Sequence, residues 1–507
     1  RIELLRRHIQ GAIPQYDEAL LALERVRDEA IPSEYQQTFA EFRLLFAAFI
    51  DDMKDVADLA KVAQTIFGGE GRKRYLIVFQ NNHELRPSGG FIGSFARLDV
   101  ERGKIVSLDV PGGGAYDLKG QLTEFVKPPL PLQLVNERWE FQDANWWPDF
   151  SASAEKMMWF YEKARGQTVD GVIAVNASVL PRVLKVLGPV ASAEFGTLLD
   201  YESALGAIQE KVETGYDREK NQPKEIIRKL FEEMLAALPA VGATDLLGLL
   251  TEAEAAARQK EIQIYVSDAS VQDELRQFGW TGEIVPTNAA QDYLLIASAN
   301  VQGQKSDAKI EEKIRHEASV ADDGSVIDTV VIRRTHTGSL GEKFYGGANI
   351  SYLRVYVPEG AELLSAGGFS YPPEDAFRVP EQWYNSDPHL AAWEKDDGVH
   401  VDSGTRLGRE FGKTVFGNWV ITKPGETSEV YFRYRLPFKV DMSVSSPTPS
   451  SGWRTVLASA KTKATSRYSL VAQKQSGTNP NFYSRIIYPE SWTPVWKSDD
   501  KMDLALN

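Results

Sequence analysis

Residues 74–94 constrain the fold more than any other part of the chain. Residues 75–79 form a short apolar run with β-branched and aromatic members, which favours a buried strand, although the pattern alone also allows a buried helical segment. A polar cluster follows, and then Pro87, Gly89 and Gly90, so the chain is expected to turn sharply there. Because open α/β sheets bind ligands in loops at the carboxyl ends of their strands, the sequence predicts a binding site in this polar loop.

The side chains of the polar loop suit the binding of an anion such as phosphate. Arg86 can present a planar fork of donors, and successive glycine amides can form a nest for the anion. An alternative has equal weight: the polar side chains cap the loop backbone, and Arg86 pairs with an acid such as Asp143. The candidate residues of the loop are Arg86 as a catalytic group and, as ligand-binding groups, Asn81, Asn82, Glu84, Gly89 and Gly90.

Two aspartates and two tryptophans lie close together in residues 143–149. Asp143 and Asp149 are candidate catalytic and metal-binding residues, because paired carboxylates can hold a divalent cation or act as acid and base. The faces of neighbouring tryptophans suit sugar rings. In the alternative interpretation, which the pattern favours for each residue taken singly, Trp146 and Trp147 pack in or around the core and Asp149 caps a helix.

The chain divides into three regions, since 507 residues are too many for one ordinary core. Residues 1–70 predict a hairpin of two antiparallel helices, because apolar residues recur at alternating steps of four and three along residues 35–67. Residues 71–304 alternate strand-like and helix-like segments, which is typical of an α/β domain. Residues 305–507 hold short alternating segments between turns, which predicts a β-sandwich or two small ones.

Composition excludes several classes of protein and site. A net charge of −14 without a concentrated basic patch argues against nucleic-acid binding. The absence of cysteine excludes disulfides, thiolate metal sites and cysteine nucleophiles. No apolar run approaches the about 20 residues that span a bilayer. The chain begins at Arg1 rather than methionine, so we expect upstream sequence that could carry a membrane anchor, with residues 1–70 as a stalk.

Several motifs resemble those of a bacterial family of unknown function, DUF4012. Members of that family typically carry an N-terminal membrane helix and face outward, so the resemblance implies an extracytoplasmic protein tethered to the membrane. The family has no firmly assigned reaction. The similar segments are residues 74–94, 143–150, 159–162, 169–173, 299–301 and 305–307.

Residues 71–304 also resemble, more remotely, the LytR-CpsA-Psr fold, whose enzymes transfer lipid-pyrophosphate-linked glycopolymers to the cell wall. In those enzymes an arginine-bearing polar loop follows a buried strand, and basic residues opening a long helix grip the pyrophosphate. The resemblance implies that Arg86 faces the phosphate. It adds the ligand-binding candidates Arg218, Lys220, Lys224 and Arg228.

One catalytic segment of those enzymes is missing. They carry an arginine and a magnesium-related aspartate after a hairpin, whereas residues 107–113 contain no arginine, and Asp109 lies on the wrong side of the proline. Either Asp143 and Asp149 substitute and hold magnesium, or the protein is a phosphate-binding or inert relative. No other cofactor is expected, since the six histidines lack the HExxH-like spacing of a zinc site.

The leading hypothesis is an extracytoplasmic cell-envelope protein that binds, and in its catalytic version transfers, a polyprenyl-pyrophosphate-linked glycan. Its partners would be a polyprenyl-phosphate lipid or a cell-wall glycan and the membrane, but not nucleic acid. The rival hypothesis is a non-catalytic surface protein used in adhesion or envelope scaffolding. A deep apolar groove beside Arg86 with converging positive charge would favour the leading hypothesis.

Overall fold

The computed structural model describes residues 2–69, 71–192, 197–214, 222–237, 240–440, 465–498 and 503–505. These ranges form a multidomain-like chain with both helices and mixed sheets. The helices are α1 (Ile2–Glu24), α2 (Gln36–Ile66), α3 (Phe150–Arg165), α4 (Val179–Leu187), α5 (Ala204–Glu213), α6 (Glu225–Ala237), α7 (Ala243–Arg258), α8 (Ala269–Gln277) and α9 (Pro388–Trp393). None of these described helices has the length and apolar character needed to cross a bilayer.

The strands of the described residues belong to four sheets. They are β1 (Lys73–Arg86), β2 (Gly89–Glu101), β3 (Lys104–Asp109), β4 (Gly171–Asn176), β5 (Val190–Ser192), β6 (Thr197–Leu199), β7 (Ile262–Val266), β8 (Asp292–Asn300), β9 (Ile310–Val320), β10 (Ser325–His336), β11 (Asn349–Pro358), β12 (Glu362–Gly367), β13 (Glu394–His400), β14 (Thr405–Glu410), β15 (Lys413–Thr422), β16 (Thr427–Lys439), β17 (Leu470–Gln473), β18 (Asn481–Ile487) and β19 (Asp503–Ala505).

Helices α1 and α2 pack against each other as a hairpin. Tyr16 of α1 meets Phe46 and Phe49 of α2 edge to face, with ring centroids 6.1 Å and 5.8 Å apart. These contacts fall on the apolar seam of α2, where the alternating steps of four and three bring side chains onto one face of the helix. The far end of α2 enters the core of the next region, where Val62 is buried in one cluster with Tyr75. The hairpin is therefore rooted in the central sheet at one end.

The central sheet has the order β3-β2-β1-β4-β7. Only the β1–β4 pair is parallel, so the sheet is mixed. Alternate side chains of β1 face opposite sides of the sheet. Leu76 and Val78 join a large cluster that contains the buried face of α3, whereas Ile77 and Phe79 face a smaller cluster on the other side. The groove described below lies on this second side.

The polar cluster that follows the apolar run of β1 lies within the strand, not in a loop after it, because β1 continues to Arg86. Its antiparallel pairing with β2 is interrupted between Asn81 and Leu85, which leaves residues 82–84 as a bulge. Bulges re-aim side chains and are common beside functional sites. The chain reverses at residues 87–88, where the sequence predicted a sharp turn.

Two six-stranded sheets make up the C-terminal region. Their orders are β12-β16-β10-β9-β18-β19 and β13-β14-β15-β11-β8-β17. The β9–β18 and β8–β17 pairs are parallel, and the other pairs are antiparallel. Buried residues of both sheets, among them Ile296, Val330, Val355 and Phe432, form one apolar cluster. The two sheets therefore share a core.

Strand β8 pairs with strands of a C-terminal sheet, although it lies within residues 71–304, which the sequence pattern groups as an α/β region. It pairs with β11 on one side and with β17 on the other, and every residue in it is buried. A run of buried residues indicates that a strand is covered on both faces, but it does not indicate which sheet the strand joins. The strand pairings therefore place β8 in the same sheet as β11 and β17.

Two tryptophans connect the central region to the C-terminal sheets. Trp146 and Trp147 are buried, and both indole N–H groups donate to Oε1 of Glu394, at 2.7 Å and 2.8 Å. Trp146 also stacks on Tyr352 of β11, with ring centroids 6.3 Å apart. The structure thus gives both tryptophans a packing role, which was the alternative to sugar binding.

Candidate ligand-binding site

A cavity of about 680 Å³ lies between the central sheet and the helices α4, α5 and α6. This groove is lined mainly by apolar side chains from β1, β4 and these three helices. Representative lining residues are Phe79, Val175, Leu180, Ile208, Phe231 and Met234. Its size and apolar character are those of sites that bury a drug-sized ligand.

The groove exists because the helices pack mainly on one another rather than down onto the sheet. Leu184 of α4 and Leu230 of α6 belong to a helical cluster of their own. Ile77 and Ala96 of the sheet belong to a separate cluster, which α6 touches through Phe231. Space remains between the two clusters, and apolar side chains of both line it.

Lysines from two distant parts of the chain lie at the polar end of the groove. Lys224 precedes α6, and Lys305 follows β8; both line the cavity. The ammonium of Lys305 lies 3.6 Å from Oε2 of Glu84 and 3.2 Å from Oε1 of Glu213. His83 also lines this end. Cations and carboxylates therefore lie together at the polar end of the groove.

Glycines make room for Lys224. A Cβ atom on Gly93 would lie 3.5 Å from Nζ of Lys224, and one on Gly114 would lie 2.8 Å from its Cγ. Gly114 also has a φ of 69°, which favours glycine. The amide of Lys224 donates to the carbonyl of Gly112 at 3.0 Å. The glycine-rich segment after β3 thus positions the lysine across the sheet.

The polar end of the groove perturbs the pKa values of its titratable groups. Burial lowers the pKa of Lys224 to about 8; Glu213 opposes this shift and Lys305 adds to it. Burial also lowers the pKa of His83, and burial raises the pKa of Glu84 against the opposing effects of Arg86 and Lys305. Perturbed groups of this kind in a cleft are typical of functional sites. An arriving anion would favour the charged form of Lys224.

Four lining residues carry buried polar atoms that have no hydrogen-bond partner among the described residues. They are Gln80 at both side-chain ends, Ser94 at Oγ, Asn176 at Oδ1 and Gln209 at Nε2. Buried polar groups in proteins are nearly always hydrogen-bonded. The walls of the groove therefore contain polar atoms that no described residue satisfies.

Arg86 is buried and committed to partners within the protein. Its Nε and Nη2 donate to Oδ1 of Asp143, at 3.1 Å and 2.9 Å, and its Nη1 donates to the carbonyl of Asn300. The pairing with Asp143 is the alternative that the sequence left open. The ring centroid of Phe91 lies 5.3 Å from the guanidinium carbon of Arg86, and Phe91 also lines the groove. Arg86 therefore stands behind Phe91 rather than in the groove.

Asp149 caps α3 instead of meeting Asp143. Its Oδ1 accepts the amide of Ala152 at 3.1 Å, and its Oδ2 accepts the amide of Ile284 at 3.0 Å. Burial raises the pKa of Asp149 to about 6, and the two backbone hydrogen bonds oppose this shift. Asp143 and Asp149 are thus held by separate partners.

The remaining candidates of β1 and β2 have structural contacts. Oδ1 of Asn81 accepts the amide of His83 at 3.1 Å, although Asn81 also lines the groove. A Cβ atom on Gly89 would lie 1.8 Å from Oε1 of Gln80, and one on Gly90 would lie 2.1 Å from the carbonyl carbon of Asn81. Both glycines therefore serve the close approach of β2 to β1. Nδ2 of Asn82 lies 3.4 Å from the carbonyl of Gly477.

The basic residues that the sequence nominated for ligand binding lie in different environments. Lys224 lies in the groove, whereas Arg228 pairs with Glu225 at 2.7 Å and Glu232 at 3.1 Å along its own helix. Arg218 and Lys220 lie outside the described residues.

Sequence reasoning did not assign Lys305 or Glu213 to the site. In the sequence, residues 305–307 stand out only as part of a family-like motif, and no periodic pattern connects Lys305 to β1. The long-range pairing of Lys305 with Glu84 depends on how the end of β8 and the segment after it pack against β1.

The described residues hold one group of three potential metal ligands, and it lies outside the groove. The group is Asp292, His316 and Asp328, all buried in the C-terminal region. It contains neither of the aspartates that the sequence nominated.

Comparison with known families gives one match. Residues 70–212 match the family described as "Protein of unknown function (DUF4012)", which supports the resemblance seen in the motifs. The matched segment runs from the start of β1 into α5, so it includes the floor of the groove and Glu84 but neither Lys224 nor Lys305. No curated protein matches the chain.

Proposed function

We propose that the protein binds a polyprenyl-phosphate-linked glycan, with the isoprenoid chain in the groove and the phosphate at Lys224 and Lys305. The observation that carries the proposal is the junction of a mainly apolar groove of about 680 Å³ with two lysines. An amphiphile with an apolar tail and an anionic head matches this arrangement, whereas a free sugar or nucleotide would leave the apolar lining uncovered.

The two parts of the groove have different energetic roles in this proposal. Burial of each methylene of a tail contributes about 0.8 kcal/mol, so the tail supplies most of the affinity. Charge-assisted hydrogen bonds from the lysines to phosphate select the anionic head. Glu84 and Glu213, which pair with Lys305 in the unbound protein, would exchange that pairing for the phosphate.

The remote resemblance to LytR-CpsA-Psr enzymes supports a lipid-linked substrate. Because those enzymes act on the cell wall, the resemblance also supports an extracytoplasmic protein that is tethered through an upstream membrane anchor. The C-terminal sheets, as a β-sandwich, would support the groove region above the membrane. We propose binding rather than transfer. Residues 107–113 lack the arginine of those enzymes, Arg86 is occupied by Asp143, and Asp149 is occupied by two amides, so we place no magnesium on these aspartates.

The test measures binding of a polyprenyl phosphate in detergent micelles against the matching polyprenol, which lacks the phosphate. Because hydrogen bonds to charged groups contribute about 1.5–3 kcal/mol, we expect the phosphate form to bind at least about tenfold more tightly. Replacing both lysines, Lys224→Met with Lys305→Met, should abolish that preference but leave binding of the polyprenol.

A second variant tests whether the isoprenoid tail binds in the groove. Ile208→Trp narrows the groove from α5 and should weaken both ligands, whereas Ile105→Trp, at an exposed position of β3 outside the groove, should weaken neither. The proposal fails if the wild-type chain binds both ligands equally, or binds neither, or if Ile208→Trp has no effect. Absence of any lipid binding would favour the rival function, an adhesion or scaffold protein of the cell surface.

A further inference from the structure

Three buried side chains from different strands meet between the two C-terminal sheets. Asp292 begins β8 in one sheet, and His316 and Asp328 lie on β9 and β10 of the other. Each of the three side chains is fully buried. Nε2 of His316 lies 3.4 Å from Oδ2 of Asp328 and 3.6 Å from Oδ2 of Asp292. The group therefore bridges the two sheets through polar atoms inside a core.

The contacts inside this group are too long for hydrogen bonds between charged partners, which measure about 2.7–2.9 Å. Nε2 of His316 and both carboxylate oxygens of Asp328 have no hydrogen-bond partner among the described residues. Two buried carboxylates placed together are costly unless a cation compensates their charge. The protein itself supplies no such cation within this group other than a proton on His316.

The spacing instead fits donors around one small metal ion. When zinc is held by nitrogen and oxygen at about 2.0–2.1 Å in a tetrahedron, the donor atoms lie about 3.3 Å apart. The separations of 3.4 Å and 3.6 Å around Nε2 of His316 are close to that value. The three donor atoms all lie within 4.8 Å of one another.

Outer contacts orient these donors. Nδ1 of His316 lies 2.9 Å from Oγ of Ser484 on β18, so the serine can accept Nδ1–H and leave the lone pair of Nε2 facing the carboxylates. The hydroxyl of Tyr468 donates to Oδ2 of Asp292. Tyr434 is the cross-strand partner of Asp328, and its buried hydroxyl has no hydrogen-bond partner among the described residues.

We propose that Asp292, His316 and Asp328 bind one structural zinc ion that pins the two sheets together, with Tyr434 or a water as the fourth ligand. Calcium requires six to eight oxygen ligands and magnesium keeps several waters, which so few buried donors do not provide. A closed site of this kind has no open position for a substrate, so its role is to hold the fold. The site is independent of the groove.

The test begins with the untagged full chain, dialysed against metal-free buffer after purification with zinc present. Elemental analysis should find one zinc ion per chain, and a chelator should lower the melting temperature, with recovery on adding zinc back. Cobalt in place of zinc should give the strong visible absorption of a tetrahedral site.

Variants assign the metal to the group. Asp328→Asn and His316→Gln should weaken zinc binding by more than the about 10–100-fold that loss of an outer-shell partner typically costs. The matched control is His336→Gln, because His336 is equally buried but has both ring nitrogens engaged, with the carbonyl of Gly347 at 3.0 Å and the amide of Gly338 at 3.1 Å. The control can lower stability but should keep the full zinc content.

Measurements on the wild-type chain decide the proposal even if the variants do not fold. A folded chain that retains no zinc, and whose melting temperature responds to neither chelator nor zinc, would overturn it. That result would mean that a proton on His316 holds the two carboxylates together.

Discussion

Lys305 and Glu84 face each other at the polar end of the groove, with Nζ of the lysine 3.6 Å from Oε2 of the glutamate. Glu84 lies in the bulge of β1, and Lys305 follows β8 of the C-terminal sheets. The polar end of the groove is thus built by the central region and by the C-terminal region. The part of the chain that matches DUF4012 includes Glu84 but not Lys305. Truncation after residue 212 would remove both lysines of the site.

The two lysines should have opposite effects on stability. Burial lowers the pKa of Lys224 to about 8 from an ordinary value of 10.5, so its charged form is disfavoured in the folded protein. Lys224→Met should therefore raise the free energy of unfolding at pH 7 by about 1–2 kcal/mol. Lys305→Met removes the cation beside Glu213 and leaves Glu84 with Arg86 alone, so it should lower the free energy of unfolding. Urea unfolding of both variants checks this difference, and equal shifts of the same sign would contradict it.

Binding of an anion should also depend on pH through Lys224. Above a pH of about 8 the free protein loses the lysine proton, so affinity for a phosphate amphiphile should fall as the pH rises from 8 to 10. Folding stability should change the other way, because the unfolded chain binds more protons than the folded chain between about 8 and 10.5. Titration of wild type and Lys224→Met at several pH values separates the two effects. A pH profile that the methionine variant leaves unchanged would assign the titration to another group.

Local patterns predicted the parts of the fold in which a short segment determines its own structure. The heptad steps of residues 35–67 correspond to α2, and the apolar run of residues 75–79 lies in β1. The continuation of β1 through polar residues was not predictable, because the bulge at residues 82–84 depends on the pairing with β2. The groove was not predictable either, since it is the gap between two clusters whose residues come from separate segments, and Lys305 reaches it from another region.

Arg86 and Asp143 form a buried ion pair, so removal of one partner should damage the fold before it reveals any role in binding. Arg86→Met leaves Asp143 as an unpaired buried charge and should lower the free energy of unfolding by about 3–5 kcal/mol. The double variant Arg86→Met with Asp143→Leu should recover part of that loss, although the carbonyl of Asn300 would still lack its donor. Denaturation of both single variants and the double variant gives the coupling energy. Additive losses would show that the two residues act independently.

Asp149 should make the free energy of unfolding depend on pH in the acidic range between its ordinary and its raised pKa. Its pKa is raised from 3.8 to about 6, first by burial, so the folded chain binds more protons than the unfolded chain between these values. The stabilising contribution of this proton is complete below about pH 4 and is lost as the pH rises through about 6. Asp149→Ala should remove this dependence and cost about 1–2 kcal/mol, because the amides of Ala152 and Ile284 lose their acceptor. A variant with the same slope as wild type would assign the titration elsewhere.

Gly90 should tolerate no side chain, because the strand beside it cannot move away. A Cβ atom there would lie 2.1 Å and 2.2 Å from the backbone carbonyl carbon and oxygen of Asn81, and Asn81 is held by its pairing with Phe91. Gly90→Ala should therefore lower the free energy of unfolding by about 2–3 kcal/mol. Gly120→Ala is the matched control: its Cβ would meet no atom within 4 Å, so it should stabilise the chain by about 0.4–1 kcal/mol through the unfolded state. Urea unfolding compares the two variants, and hydrogen exchange of the β1–β2 amides locates the loss. If both variants have the same free energy of unfolding, the β1–β2 hairpin can accommodate a methyl group at residue 90. The close approach of its two strands would then not depend on glycine.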